Sequence, residues 1–172
     1  MIIVGYQGIG KSTLAGKYNC IDLESSNFWV DGKRDEKWYI PYCQIANHLS
    51  EQGYTVFTSS HEVVRKELEK SKEKVYVVYP AISLRGEWLD KLYERWQNTG
   101  LEKDYKAYMN AEDRYEANIT ELMTGGLATF EITDMYYSLV KIIRKLNKID
   151  KGDLLPVYGG WSQLDYFAYG ED

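Results

Sequence analysis

The residues best suited to chemistry lie at the start of the chain, in the segment GYQGIGKST. Gly5, Gly10, Lys11 and Ser12 match the pattern G-x-x-x-x-G-K-[ST], which forms a loop that binds phosphate groups through its backbone N–H groups. Glycines permit the backbone conformations that such a curl requires. The lysine can reach the β- and γ-phosphates of a nucleotide, and the serine hydroxyl is a ligand for Mg²⁺. The segment therefore predicts binding of ATP or GTP with magnesium.

The elements on either side of this loop support the prediction. Met1 to Val4 is a short apolar run that predicts a buried strand, and Thr13 to Tyr18 predicts the opening of a helix. A helix N-terminus and inward-pointing loop N–H groups together attract anions. The predicted nucleotide-binding residues are Gly5, Gly8, Ile9, Gly10, Lys11, Ser12 and Thr13.

A second group of candidate functional side chains, two carboxylates, occurs in the segment IDLESSNF. Asp22 and Glu24 lie at the end of a short predicted strand that begins at Cys20, and side chains two residues apart on a strand point the same way. Ligands of open parallel sheets bind outside the carboxyl ends of the strands, where the phosphate-binding loop also lies. An acidic pair there can hold the water ligands of magnesium and accept a hydroxyl proton. The alternative is a solvated acidic turn, or Glu24 capping a following helix.

Strand and helix patterns alternate along the rest of the chain, which predicts an α/β fold with a parallel sheet covered on both faces. Three further strands are predicted, at Tyr54 to Thr58, Val75 to Tyr79 and Leu127 to Ile132. Helices are predicted at residues 35–52, 62–71, 83–97 and 106–123 and from Thr133 or Asp134 to about residue 148, with residues 98–104 as a loop.

The composition indicates one domain. With 172 residues the chain can bury a substantial core but is too short for two domains of ordinary size. A net charge of −5 argues against extended nucleic-acid binding. Cys20 and Cys43 are the only cysteines and lack metal-ligand spacing, and no leader or membrane-length apolar run occurs. We therefore predict a cytoplasmic protein without a membrane partner, with a domain at residues 1–148 and an aromatic tail at residues 149–172.

Three further segments resemble the small-molecule P-loop kinases. VFTSSHEVVRKEL is similar to their strand followed by an arginine-bearing helix, and VYVVYPAISLRGEWLDKLYERW resembles their fourth strand and the helix that leads into a mobile lid. Asp22-x-Glu24 resembles the D-x-D of shikimate and gluconate kinases, with glutamate in place of the second aspartate. Over residues 1–148 the order of elements is similar to that of adenylate, shikimate and gluconate kinases.

This resemblance implies a three-layer P-loop NTPase fold whose five parallel strands have the order 2-3-1-4-5, with a lid around residues 85–106. It also implies transfer of the γ-phosphoryl group of a magnesium-bound nucleotide to a small acceptor. In such a reaction Asp22, with Ser12, serves the metal, and Glu24 orients and deprotonates the acceptor. The implied catalytic residues are Lys11, Asp22, Glu24 and Arg95.

The resemblance also supplies candidates for the acceptor site and the lid. Arg65 would grip an anionic group of the acceptor, since guanidinium suits phosphate or carboxylate, and Ser59 and Trp38 are the other predicted acceptor-binding residues. Arg85 and Arg95 would be lid cations that neutralise the phosphoryl group in transit. The simpler alternatives are solvated arginines and a tryptophan that packs in the core.

Two questions of function stay open in the sequence. Tryptophan and tyrosine are frequent between residues 27 and 42, which favours a nucleoside or nucleotide acceptor, whereas Arg65 and Ser59-Ser60 would suit a sugar acid, as in gluconate or shikimate kinases. The other possibility is a nucleotide-binding NTPase with a regulatory role. The strand YTVFTSSH ends in hydroxyl residues rather than in the acid that motor ATPases carry, and this favours the kinase.

Overall fold

Short strands rich in β-branched and aromatic residues pair side by side into one parallel sheet in the computed structural model, which describes residues 1–149. The predicted tail lies outside the described residues from residue 150 onward. In chain order the strands are β1 (Ile2–Gly5), β2 (Cys20–Asp22), β3 (Trp29–Val30), β4 (Lys33–Arg34), β5 (Thr55–Thr58), β6 (Val75–Pro80) and β7 (Ala128–Ile132). The helices are α1 (Lys11–Leu14), α2 (Tyr39–Glu51), α3 (Glu62–Leu68), α4 (Arg85–Thr99), α5 (Glu102–Met123) and α6 (Leu139–Asn147).

Five of the strands form the main sheet, in the spatial order β2-β5-β1-β6-β7, and every neighbouring pair is parallel. Numbered within this sheet alone, that order is 2-3-1-4-5, so the predicted parallel sheet and its strand order are confirmed. All residues of β1, β5 and β6 are buried. Strands buried on both faces require a cover on both faces, and the flanking helices provide it in an arrangement compatible with three layers.

The first helix is shorter than predicted. It begins at Lys11 and ends at Leu14, and the chain then turns through Gly16, with φ 78°, and through Tyr18 and Asn19, both with left-handed φ values. A glycine and two residues of this conformation do not continue an α-helix. The predicted helix from Thr13 to Tyr18 was therefore wrong, because the helix ends at Leu14.

Two other boundaries differ from prediction. The predicted loop at residues 98–104 reduces to Gly100 and Leu101, because Gly100 takes a left-handed conformation that ends α4 and α5 begins at Glu102. The two helices pack against each other as a helical hairpin. The last helix is capped by Ser138, whose Oγ accepts from Lys141 N, and not by Thr133 or Asp134.

The small hairpin β3–β4 was not predicted at all. Its strands pair antiparallel, Trp29 with Arg34 and Val30 with Lys33, around the turn at Asp31 and Gly32. Both turn residues have positive φ, 51° and 73°. The Asp-Gly dipeptide is a strong hairpin signal for this reason, and it was available in the sequence. Among the helices of residues 1–149, none combines the length and apolar character needed to cross a bilayer.

Candidate phosphate-binding site

The segment between β1 and α1 forms a tight loop around the side chain of Lys11. Gly8 and Gly10 have φ values of 89° and 110°, which residues with a Cβ atom rarely adopt. The ammonium of Lys11 donates to the carbonyl oxygens of Gly5, at 2.9 Å, and Thr58, at 3.4 Å. The lysine thus crosses from its own loop to the carboxyl end of the neighbouring strand β5.

The two predicted acids lie within electrostatic range of this lysine. Burial lowers the pKa of Lys11, and the charges of Asp22 and Glu24 act against that shift. Burial raises the pKa of Asp22, and the charge of Lys11 partly offsets it. Asp22 pairs with Phe57, the residue before Thr58, so this acid lies at the same carboxyl edge of the sheet as the loop lysine.

Three residues with hydroxyl groups, Ser12, Thr13 and Thr58, lie in the loop or beside it. Ser12 and Thr13 are exposed to solvent. Thr58 Oγ1, beside Lys11, is buried and makes no hydrogen bond within the described part of the chain. In residues 1–149 no group of three or more His, Cys, Asp and Glu side chains could hold a metal ion. Magnesium would therefore take most of its ligands from phosphate oxygens and water, as it usually does.

Helix α4 supports the loop from outside. Trp88 Nε1 donates to the carbonyl oxygen of Gln7 at 2.9 Å, and a Cβ atom on Gly8 would lie 3.0 Å from Leu92 and 3.1 Å from Trp88. Gln7 Nε2 in turn donates to the carbonyl oxygen of Ala107 in α5, at 2.9 Å. The loop is consequently fixed to both helices of the hairpin. The position of Trp88 within a predicted helix gives no sequence signal for this contact.

The segment before α6 supports the loop from another side. Tyr137 donates from its hydroxyl to the carbonyl oxygen of Ile9 at 2.8 Å, and its ring stacks on Trp88 at 6.0 Å between centroids. The ammonium of Lys91 donates to the same hydroxyl at 2.9 Å and lies 4.5 Å from the centre of the Trp88 ring. Burial lowers the pKa of Lys91, and so does the nearby charge of Arg95. Neither Tyr137 nor Lys91 was predicted to act at the loop, because the loop is distant from both in sequence.

The predicted lid cations have different surroundings. Arg95 is close enough to lower the pKa of Lys11 through its charge, but its Nε lies 2.9 Å from the carboxylate of Asp104. Asp104 is buried and also accepts a hydrogen bond from Thr99 Oγ1 at 2.5 Å. Arg85 is exposed and donates to the carbonyl oxygen of Glu112 at 3.1 Å. Arg95 is therefore near the loop yet held by an acid, and Arg85 is engaged with α5.

Of the predicted acceptor residues, Arg65 is directed toward α5. Its Nε donates to Ser60 O at 3.0 Å, its guanidinium lies 3.6 Å from the carboxylate of Glu121, and its side chain is only 11% exposed. Arg65 and Glu121 line a cavity of about 300 Å³ between α3, the end of α5 and the segment that leads into β7. With its charge paired to Glu121, Arg65 is not free to grip an anion without a rearrangement.

Ser59 and Trp38 lie in an aromatic cluster beside the acids. The Ser59 N–H donates to the hydroxyl of Tyr42 at 2.9 Å, and that hydroxyl donates to the carbonyl oxygen of Leu23, between the two acids, at 2.6 Å. Trp38 packs edge-on against Tyr42 and His61, with ring centroids 5.3 and 5.4 Å away. Trp38 is buried, so most of its side chain packs in the core, as the simpler alternative proposed.

No protein-family model matches this chain, and no curated protein is significantly similar to it in sequence. The function must therefore be inferred from the loop and the residues around it.

Proposed function

We propose that the protein is a P-loop kinase with a P-loop NTPase fold, which transfers the γ-phosphoryl group of ATP or GTP to a small acceptor. One observation carries the proposal. The ammonium of Lys11 spans from Gly5 to Thr58, inside a loop with two left-handed glycines and in the field of Asp22 and Glu24. A cation, inward N–H groups and two acids at one sheet edge are the parts that phosphoryl transfer needs.

Each residue has a definite task in that reaction. Lys11 and the loop N–H groups bind the β- and γ-phosphate oxygens and hold the γ-phosphorus in line with the acceptor. The acceptor oxygen forms a bond to that phosphorus, the bond from phosphorus to the bridging oxygen breaks, and the nucleoside diphosphate leaves. The acceptor proton passes to Asp22 or Glu24. Magnesium, when bound with Ser12 and the phosphates, supplies neutralisation of the phosphate charge.

The environment of Asp22 suits a proton acceptor. Burial raises the pKa of this carboxyl above that of an exposed aspartate, which makes its carboxylate a stronger base. Glu24 is exposed, and its side chain is one methylene longer than that of an aspartate. We assign Asp22 to the metal waters and Glu24 to the acceptor, with Asp22 as the alternative base.

The surroundings favour a nucleoside or nucleotide as the acceptor. Ring contacts link Phe28, Trp38 and Tyr42 next to the acids, whereas the sugar-acid alternative depends on Arg65, whose charge is paired with Glu121. A regulatory NTPase without an acceptor is the competing function. Release of nucleoside diphosphate that depends on an added acceptor distinguishes the kinase from it.

Replacement of the loop lysine tests the proposal. Lys11→Ala removes the ammonium group that would contact the β- and γ-phosphates. The affinity for a non-hydrolysable ATP analogue with magnesium, measured by calorimetric titration, should therefore fall at least about tenfold. Lys17→Ala is the matched control, because Lys17 is exposed and lies beyond α1. An acceptor panel assayed for ATP consumption then tests transfer. Equal analogue affinity in folded Lys11→Ala and Lys17→Ala proteins would contradict the proposal.

A further inference from the structure

The hairpin β3–β4 presents an arrangement that the reaction described above does not use. The guanidinium carbon of Arg34 lies 3.9 Å from the ring centre of Trp38 and 5.2 Å from that of Trp29. We call these three residues the indole stack. Trp29 is 52% exposed, so one large aromatic surface of the stack faces solvent. Trp38 is buried and anchors the stack on the aromatic cluster.

Arg34, the cation of the indole stack, forms no ion pair with an acid among the described residues. Among residues 1–149, the side chain of Arg34 takes part in no hydrogen bond and no ion pair, and its guanidinium carbon lies close to two indole rings. Its N–H groups therefore have no acceptor within these residues and can donate to a ligand. An arginine held against two aromatic rings is preorganised to bind a phosphate or a carboxylate in bidentate fashion.

The indole stack adjoins the acid pair. Trp38 contacts Tyr42, and the Tyr42 hydroxyl donates to the backbone between Asp22 and Glu24 at 2.6 Å. The pKa of His61 is lowered, first by burial and then by the charges of both Arg34 and Lys11. The charges of Arg34 and of the loop lysine therefore both act on His61, whose ring contacts Trp38, so the indole stack and the loop lie near the same histidine.

We propose that the indole stack binds a nucleotide as the acceptor, with its base on the exposed ring of Trp29 and its phosphate at the edge of Arg34. The role of this nucleotide as a phosphoryl acceptor rests on the proposed kinase function, whereas its binding to the indole stack does not require phosphoryl transfer. A planar base matches an exposed indole, and a phosphate matches an unpaired guanidinium. A nucleoside would leave Arg34 without a partner, and a sugar phosphate would leave Trp29 uncovered.

Calorimetric titration of the full chain with the four nucleoside 5′-monophosphates tests this site. A saturating non-hydrolysable ATP analogue is added first to occupy the phosphate-binding loop. At least one monophosphate should bind about tenfold or more tightly than its nucleoside and than ribose 5-phosphate. Equal affinities of the monophosphate and ribose 5-phosphate would overturn the role of the indole, and equal affinities of monophosphate and nucleoside would overturn the role of the guanidinium.

Paired variants within the same hairpin separate binding from folding. Arg34→Gln should lower monophosphate affinity about tenfold and leave nucleoside affinity unchanged, whereas Lys33→Gln removes the same charge from the neighbouring residue and should change neither. Trp29→Ala should weaken both ligands about tenfold, with Val30→Ala as its control. If Arg34→Gln shifts the melting temperature but not monophosphate affinity, the stack is a structural brace and the proposal is wrong.

Two further arms keep the test decisive. Arg34→Lys retains the charge without the planar fork, so it should bind the monophosphate with intermediate affinity even if Arg34→Gln fails to fold. If the ATP analogue does not bind, the titrations are repeated on the protein alone. Monophosphate binding that depends on Arg34 would then support the indole-stack site although the kinase proposal had failed. If the ATP analogue binds but no monophosphate does, the indole-stack site is wrong and the kinase proposal still stands.

Discussion

The contribution of Tyr137 to the phosphate-binding loop can be tested by removing one atom, the hydroxyl oxygen of its side chain. Tyr137→Phe removes the hydroxyl that donates to the Ile9 carbonyl at 2.8 Å and that accepts from the Lys91 ammonium at 2.9 Å. The ring that stacks on Trp88 is retained. The change therefore isolates the hydrogen bonds that hold the loop from the packing beneath them.

The cost of this change follows from what it leaves without partners. A buried acceptor that loses its donor costs about 1–3 kcal/mol, and the half-buried position of Tyr137 lets water restore part of it, so we expect about 1–2 kcal/mol. For a chain of this length each kcal/mol lowers the melting temperature by about 2–4 °C. If nucleotide binding must supply about 1 kcal/mol to return the loop to its parent conformation, nucleotide affinity falls about fivefold.

Calorimetry supplies both measurements, as thermal unfolding and as titration with a non-hydrolysable ATP analogue. The neighbouring Tyr136→Phe is the control, because Tyr136 is 97% exposed and its hydroxyl should contribute to neither property. The expected pattern is a lower melting temperature and weaker analogue binding for Tyr137→Phe alone. Indistinguishable melting temperatures and affinities of the two variants would refute the role of Tyr137 in holding the loop.

Three other predictions concern the acids, the loop and the helical hairpin. Asp22→Asn and Glu24→Gln should each lower turnover about 100-fold with much smaller changes in nucleotide affinity; steady-state kinetics comparable to the parent would show that the pair is only a turn. Gly8→Ala should weaken analogue binding more than Gly32→Ala, because both have positive φ but only Gly8 is crowded by neighbours. Hydrogen exchange at residues 95–106 should slow with bound analogue, and unchanged protection would remove the lid from the mechanism.

The sequence was most informative where structure depends on local residues. The loop, its strand and the acids are each encoded within a few consecutive positions, so a motif and a periodicity predicted them. The Asp31-Gly32 turn was equally local, and its omission was a missed signal rather than missing information. The order of the five strands came from resemblance to a family, because pairing between distant strands cannot be derived from either strand alone.

The contacts around the loop could not be predicted in this way. Trp88 and Tyr137 bind loop carbonyls 81 and 128 positions away in the chain, and an aromatic residue on a helix or in a loop does not reveal such a partner. The same holds for Arg65, whose pairing with Glu121 spans 56 positions. The sequence does not reveal whether an arginine on a helix is paired with an acid, because the partner is known only from the fold.

The double attachment of the loop to the helical hairpin limits how that hairpin can swing. Trp88 and Leu92 hold one arm and Ala107 holds the other, so the pivot of any closure lies beyond these residues. The travelling part is then the tip, residues 93–106, rather than the whole segment 85–106. From Leu92 to Thr99 the lever is only about 10 Å long. Ring contacts join Trp96 to Tyr93 and Tyr105 within the tip, whereas the contacts of Tyr93 and Trp96 with Tyr108, beyond Ala107, would have to change if the tip moved.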